Sequence, residues 1–318
     1  MNQVPLVTVI TPYYNDTRYF PAALDSYFSQ TYPNMEMIVI DDNSSLPASA
    51  IIPDKPKYPI RLLKSDKKLG PGGARNLGLG QAQGELIAFL DSDDIWIPTF
   101  IEECVKVFSE HHDACWVYSD GYYLIDDKPV TKPNSRYFGF KGGLPTGSQV
   151  NEYHLKGYVF ELMSANMVRR HALEEVGLFN ANLAISEDCD LFCRIAERYP
   201  VYAIDKPLIY YRKRSDGFHY SKLENYIRVH TAILTKLYER QGLLPARNGD
   251  LQRALALTYE RIGIQYLNKN NPQKARYYLM HPATEPIRFT LRINVLRTLS
   301  FLPHLFYRLA IKTYDLMI

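Results

Sequence analysis

The chain has 318 residues, too many for one small domain, and its 46% hydrophobic and 22% charged composition is that of a folded globular protein. A formal net charge of +3 excludes the strongly basic balance of a nucleic-acid binder, and no run of eighteen apolar residues offers a transmembrane helix. The charge is unevenly spread: residues 1–206 hold 19 Lys+Arg against 27 Asp+Glu (−8), and residues 207–318 hold 18 against 7 (+11). An acidic body with a basic tail implies two ends that face different things. Four cysteines without zinc-type spacing, and an N-terminus without a charged leader, point to a reduced, cytoplasmic setting.

Taken in order, 6–10 reads as a strand broken by Thr11-Pro12-Tyr13-Tyr14-Asn15, because proline cannot continue a central strand. Residues 18–30 present Phe20, Leu24, Tyr27 and Phe28 at helical spacing. A second strand, 35–40, ends in Asp41 and Asp42, and a third fits 60–64. The glycine-rich stretch 70–78 opens a helix, with Arg75 in its first turns. That placement can favour an anion such as a diphosphate or serve a structural salt bridge. Leu86-Ile-Ala-Phe-Leu90 is a strand buried on both faces, ending in Asp91, Asp93 and Asp94. Unpaired carboxylates are too costly to bury, so these acids belong at the strand's carboxyl end, where open α/β sheets bind ligands. They suit a hard divalent cation, or equally an acidic turn before the next helix. Strand–helix alternation argues a mostly parallel sheet covered by helices.

Further on, 116–123 reads as a strand and the turn at Asp126-Asp127 as a hairpin. Residues 133–157 read as a long functional loop, and 168–177 as a short helix. Ser186 followed by Glu187, Asp188 and Asp190 makes a helix start whose acids complement the helix dipole. Pro207 to Arg214 is a further strand. From 222 the pattern turns helical, and 287–318 is apolar and basic. That last stretch fits either an anionic membrane surface or packing against protein.

The motifs Val7-Thr-Val-Ile-Thr-Pro-Tyr-Tyr-Asn15, Ile38-Val-Ile-Asp-Asp-Asn-Ser44, Gly73-Ala-Arg-Asn-Leu-Gly78 and Gly84-Glu-Leu-Ile-Ala-Phe-Leu-Asp-Ser-Asp-Asp94 resemble the successive signatures of family 2 glycosyltransferases. The resemblance covers about residues 5–215. It implies a GT-A fold, with a catalytic domain at 1–218 (donor half 1–95, acceptor half 96–218) and a helical C-terminal extension at 219–318. It also implies an inverting enzyme that uses Mn²⁺ or Mg²⁺, a UDP-sugar donor and a glycan or lipid-linked acceptor in bacterial surface polysaccharide synthesis. It would act one sugar at a time in the cytoplasm, peripheral to the membrane, with 287–318 as a possible membrane contact.

By position, the resemblance puts Pro12, Tyr14 and Asn15 at the nucleotide, Asp42 on uracil, Arg75 on the diphosphate, Asp93 on ribose or metal and Asp94 on the metal. Asp91 would hold the turn. The catalytic base falls on Asp188, with Glu187 and Asp190 supporting it or touching the acceptor. Arg212 or Arg214 could contact diphosphate. His219 could be a metal ligand or a structural histidine. Other readings are an inactive sugar-nucleotide-binding protein and a sugar nucleotidyltransferase.

Overall fold

The computed structural model describes residues 4–125, 127–130, 142–144, 162–183, 185–214, 248–268 and 271–282, with isolated positions between 229 and 239 and between 284 and 300. The chain divides into two compact units, Met1–His154 with Tyr158–Tyr220, and Leu155–Gly157 with Ser221–Ile318.

The first unit carries one mixed sheet. β1 (Val7–Tyr13), β2 (Met35–Asp41), β3 (Ile60–Lys64) and β4 (Leu86–Phe89) are joined through α1 (Phe20–Phe28) and α2 (Gly70–Leu79). These four strands run parallel in the order β3-β2-β1-β4. Beyond them come β5 (Ile95–Trp96), α3 (Phe100–Glu110), β6 (Trp116–Ile125), β7 (Lys128–Pro129) and β8 (Gly142–Leu144). They are followed by β9 (Asn166–Arg169), α4 (Arg170–Val176), α5 (Glu187–Ala196) and β10 (Val201–Lys213).

The sheet is parallel in its first half and mixed in its second. β9 runs antiparallel to both β4 and β6, whereas β6 and β10 are parallel. The expected helix at 168–177 therefore starts two residues late, because Val168 and Arg169 pair with Ile87 and Leu86 as strand.

Alternation along the central strands fills both faces. Val7, Val9, Met37, Val39, Leu86 and Ala88 join one core with α1 and α3. Ile10, Ile38, Ile40, Ile87 and Phe89 join the other with Ala74 of α2 and Leu191, Phe192 and Ile195 of α5. A strand buried on both faces has no polar side to signal its direction, so it reads as a continuous apolar run.

Pro12 does not break β1 as expected. The Ile10 carbonyl accepts the Leu90 amide and the Tyr13 carbonyl accepts the Asp42 amide, so Pro12 faces the side on which β4 has already ended. A missing N–H costs nothing where no neighbouring strand is present to receive it.

In the second unit, α6 (Asn248–Asn268) and α7 (Pro272–Leu279) form a hairpin. A Cβ on Gly263 would lie 2.5 Å from Leu279 Cγ, and the rings of Tyr266 and Tyr278 stack at 5.3 Å. The loop at 133–157, the 222–237 helix, His219 and the 287–318 segment lie wholly or mostly outside the described residues.

Candidate active site

The carboxyl ends of β1, β2 and β4 meet where β1 lies between strands reached by opposite crossovers, the position at which open α/β sheets bind ligands. Each end is tied by side chains. Asn15, at a left-handed φ of 52°, accepts on its Oδ1 from the Leu46 amide and the Ser45 hydroxyl, linking the β1 and β2 ends. Asp41 accepts the amides of Ser44 and Ala48 and shapes the turn after β2. Asp42 is buried, with its two oxygens on the amides of Leu69 (2.6 Å) and Gly70 (2.9 Å), and so anchors the start of α2. An ionised carboxylate has about four acceptor positions, so these two bonds leave capacity for a further donor.

Tyr14 is exposed, and Lys68 Nζ sits 3.4 Å from its ring centroid. Lys68 thus covers one face of the ring, while Pro12 is half-buried beside it.

The three acids after β4 have distinct surroundings. Asp94 is fully buried; its Oδ2 accepts from Ser164 Oγ at 2.5 Å and its Oδ1 from the Arg212 amide at 2.9 Å. It pins three chain segments together: the turn after β4, the segment of Ser164 and the end of β10. Asp91 bonds Arg75 at 2.6 Å. Asp93 faces Arg214 at 3.5 Å. Burial pushes the Asp93 carboxyl up to about 6, helped by Asp91 and Asp16, while Arg214 pulls the other way. Asp16, also raised by burial, accepts from Ser92 Oγ at 2.9 Å and lies 3.4 Å from Arg214. Asp16 and Asp93 face the same arginine, Arg214, and two carboxylates side by side suit a divalent cation. Among the described residues no three His, Cys, Asp or Glu side chains are arranged to hold one, so an ion at Asp93 would have to share itself with a bound ligand's oxygens.

Arg212 is buried, donates from Nε to the Asp93 carbonyl at 2.8 Å and pairs with Asp127. The guanidinium carbons of Arg212, Arg214 and Arg18 lie 4.2, 5.2 and 4.8 Å from the Tyr19 ring centroid, so cationic groups crowd one aromatic ring beside Asp93.

The acids of α5 come to the same place through Arg75. This arginine is 3% exposed and donates from Nη2 to Asp91 and from Nη1 to Glu187 at 2.8 Å. Burial works against its charge, but Asp91, Glu187 and Asp188 together hold it protonated above its ordinary range. Asp188, half-buried, accepts the Cys189 amide at 2.7 Å. Asp190 instead pairs with Arg194, whose nitrogens also cap the carbonyls of Val176, Gly177 and Leu178. Ser186, the residue before α5, has a left-handed φ of 59° and makes no side-chain cap.

The structure places Asp91, Asp93, Arg75, Glu187, Asp188, Arg212 and Arg214, all expected site residues, in one compact unit. The sequence reading did not single out Ser164, Asp16, Tyr19 or Asp127 as site residues. Asp16 had a local signal, an acid next to the strand-end Asn15; Ser164 had none, because its partners are supplied only by the fold.

The model of Glycosyl transferase family 2 matches residues 8–177, more than half of the chain. This chain belongs to glycosyl transferase family 2. Over 125 residues, 39% of this family 2 chain, it is 42% identical to 49% of the Escherichia coli UDP-Glc:alpha-D-GlcNAc-diphosphoundecaprenol beta-1,3-glucosyltransferase WfgD. The chain spans about a third of some curated relatives (35%) and three quarters of others (75%).

S. aureus TarS in complex with UDP-GlcNAc has the same fold, with TM-score 0.60 and 20% identity over 96% of this chain and 92% of that one. The mannosyltransferase PcManGT from Pyrobaculum calidifontis, in complex with GDP-Man and Mn²⁺, matches with TM-score 0.60 at 19% identity, over 99% of this chain and 88% of that one. The expected GT-A fold is therefore the observed one.

Proposed function

We propose that this chain is an inverting glycosyltransferase that moves one sugar from a UDP-sugar to a glycan or lipid-linked acceptor in surface polysaccharide synthesis. Residues 1–218 would be the catalytic domain and 219–318 a helical extension. The observation that carries this reading is the shared guanidinium of Arg75, which ties Asp91 at the end of β4 to Glu187, the neighbour of Asp188. Acids remote in the chain are thereby brought to one place. The UDP-Glc donor in the name of the E. coli relative supports the choice of nucleotide.

Asp188 would be the base that takes the acceptor hydroxyl's proton. The exposed ring of Tyr14 offers a stacking face for the base, and the spare acceptor positions of Asp42 suit a uracil N–H. Asp93, with Asp91 beside it, would hold a Mn²⁺ or Mg²⁺. Asp94 holds the turn that presents them, through Ser164 and Arg212. The bound ion would supply charge to offset the departing diphosphate. Arg214, between Asp16 and Asp93, would contact the diphosphate.

The test is turnover of a panel of UDP-sugars by the wild type and by Asp188→Asn. A catalyst loses about 10²-fold or more in turnover on this change while keeping its affinity for UDP. UDP binding without turnover in the wild type would favour the inactive binding protein. Pyrophosphate release from a nucleoside triphosphate would favour the nucleotidyltransferase.

A further inference from the structure

We propose that Arg75 is a positioning residue: a strut that sets the N-terminus of α5, and with it Asp188, against the carboxyl end of β4. The inference rests on the reading of Asp188 as the base. It replaces the diphosphate contact expected of Arg75 with a different task. Its two terminal nitrogens already bond carboxylates on two elements, and the side chain is 3% exposed, so the guanidinium faces protein rather than the crevice.

The start of α5 needs such a strut. Helix ends are ordinarily held by a side chain capping the first amides. Here Ser186 has a left-handed backbone, its side chain makes no cap bond, and its hydroxyl is buried without a hydrogen-bond partner. The first residue of the helix, Glu187, is held instead by Arg75 from α2.

Packing leads to the same contact. A Cβ on Gly72 would lie 3.2 Å from Glu187 Cγ, so α2 carries a glycine where that side chain crosses it. One turn further on, Asn76 and Phe179 exchange two hydrogen bonds, from Nδ2 to the Phe179 carbonyl at 2.8 Å and from the Phe179 amide to Oδ1 at 2.9 Å. These bonds fix the segment that leads into α5. The planar fork of arginine suits two carboxylates at once, which a lysine ammonium does not reproduce.

The experiment compares Arg75→Gln, Arg75→Lys and Glu187→Gln with the wild type in three measurements: UDP affinity by calorimetry, kcat with the best UDP-sugar, and amide exchange at Asp190, whose N–H bonds the Ser186 carbonyl at 3.1 Å. A strut predicts that Arg75→Gln and Glu187→Gln lower kcat by about 10- to 100-fold, the cost of a small misplacement of a catalytic group. UDP affinity should stay within about threefold of wild type, and exchange at Asp190 should quicken about tenfold. Arg75→Lys should recover part of the exchange protection and little of kcat.

A tenfold or larger loss of UDP affinity with kcat unchanged would make Arg75 a diphosphate contact and overturn the proposal. So would unchanged exchange at Asp190. If Arg75→Gln does not fold, Arg75→Lys and Glu187→Gln decide by the same measurements. If the wild type turns over no UDP-sugar, the proposed function fails, and the exchange comparison still decides whether the strut exists.

Discussion

Ser164 Oγ donates to Asp94 at 2.5 Å and accepts the Asp91 amide at 3.0 Å, so one hydroxyl sets the geometry of the whole acidic turn. Both Ser164 and Asp94 are fully buried. Ser164→Ala would leave a buried carboxylate short of a donor, at a cost of about 1–3 kcal/mol. Chemical denaturation should show that loss, and cation affinity at Asp93 should weaken with it. A variant as stable as the wild type would mean that water replaces the hydroxyl.

Asp93 gives the ligand-free protein a pH signature. Its carboxyl is raised to about 6, so the folded state holds its proton more tightly than the unfolded chain does. The associated stability is fully present below the ordinary carboxylate range and is lost as pH rises through about 6. Asp93→Asn should therefore stabilise the ligand-free protein at pH near 7.5, by about 3 kcal/mol at most, and the difference should vanish at lower pH. Thermal melts with and without Mn²⁺ should likewise show the ion stabilising the wild type above pH 6 and fading below it, as protons compete for the site. A flat pH dependence of the difference between wild type and Asp93→Asn would contradict the placement of Asp93 in a buried site beside Asp91 and Asp16.

The two roles read for Asp42 separate by experiment. Its oxygens hold the Leu69 and Gly70 amides, so Asp42→Ala should lose about 1–3 kcal/mol of stability as well as nucleotide affinity. A residue that served uracil alone would lose affinity with its melting temperature unchanged.

Tyr14 should behave in the opposite way. Its ring is exposed, so Tyr14→Ala should leave the melting temperature near that of the wild type. UDP affinity should fall by about tenfold, in keeping with about 1–3 kcal/mol for stacking a base on an aromatic ring. Unchanged affinity in a calorimetric titration would move the base away from Tyr14.

Two glycines close in sequence should respond differently to alanine. A Cβ on Gly84 would come within 2.6 Å of the Thr8 amide nitrogen and 2.7 Å of the Leu6 carbonyl, backbone atoms that cannot yield without opening the sheet. Gly80→Ala meets nothing nearer than 3.6 Å. Gly84→Ala should destabilise by about 1–3 kcal/mol or more, and Gly80→Ala should be neutral or slightly stabilising. Urea denaturation of the pair would check the packing of β4 against β1.

Much of the scaffold could be read from one dimension. β2 and β4 are mostly apolar on both faces and give way to acids at their carboxyl ends, Asp41 being the last residue of β2 and Asp91 following Leu90 just past β4, because a run of apolar residues can be buried and a run of unpaired carboxylates cannot. That rule put the acids at strand ends without any knowledge of the neighbours. The neighbours themselves came from the fold. Asp91, Asp93 and Asp94 are nearly equivalent as letters, yet Asp94 is sealed because Ser164 and Arg212 arrive from distant segments, while Asp93 stays beside Arg214. The direction of β9, the continuation of β1 through Pro12 and the two carboxylates on Arg75 have the same origin. Each depends on which strand ends first or which helix crosses which. Local composition sets the cost of burying a group, and only the assembled chain supplies the partner that offsets it.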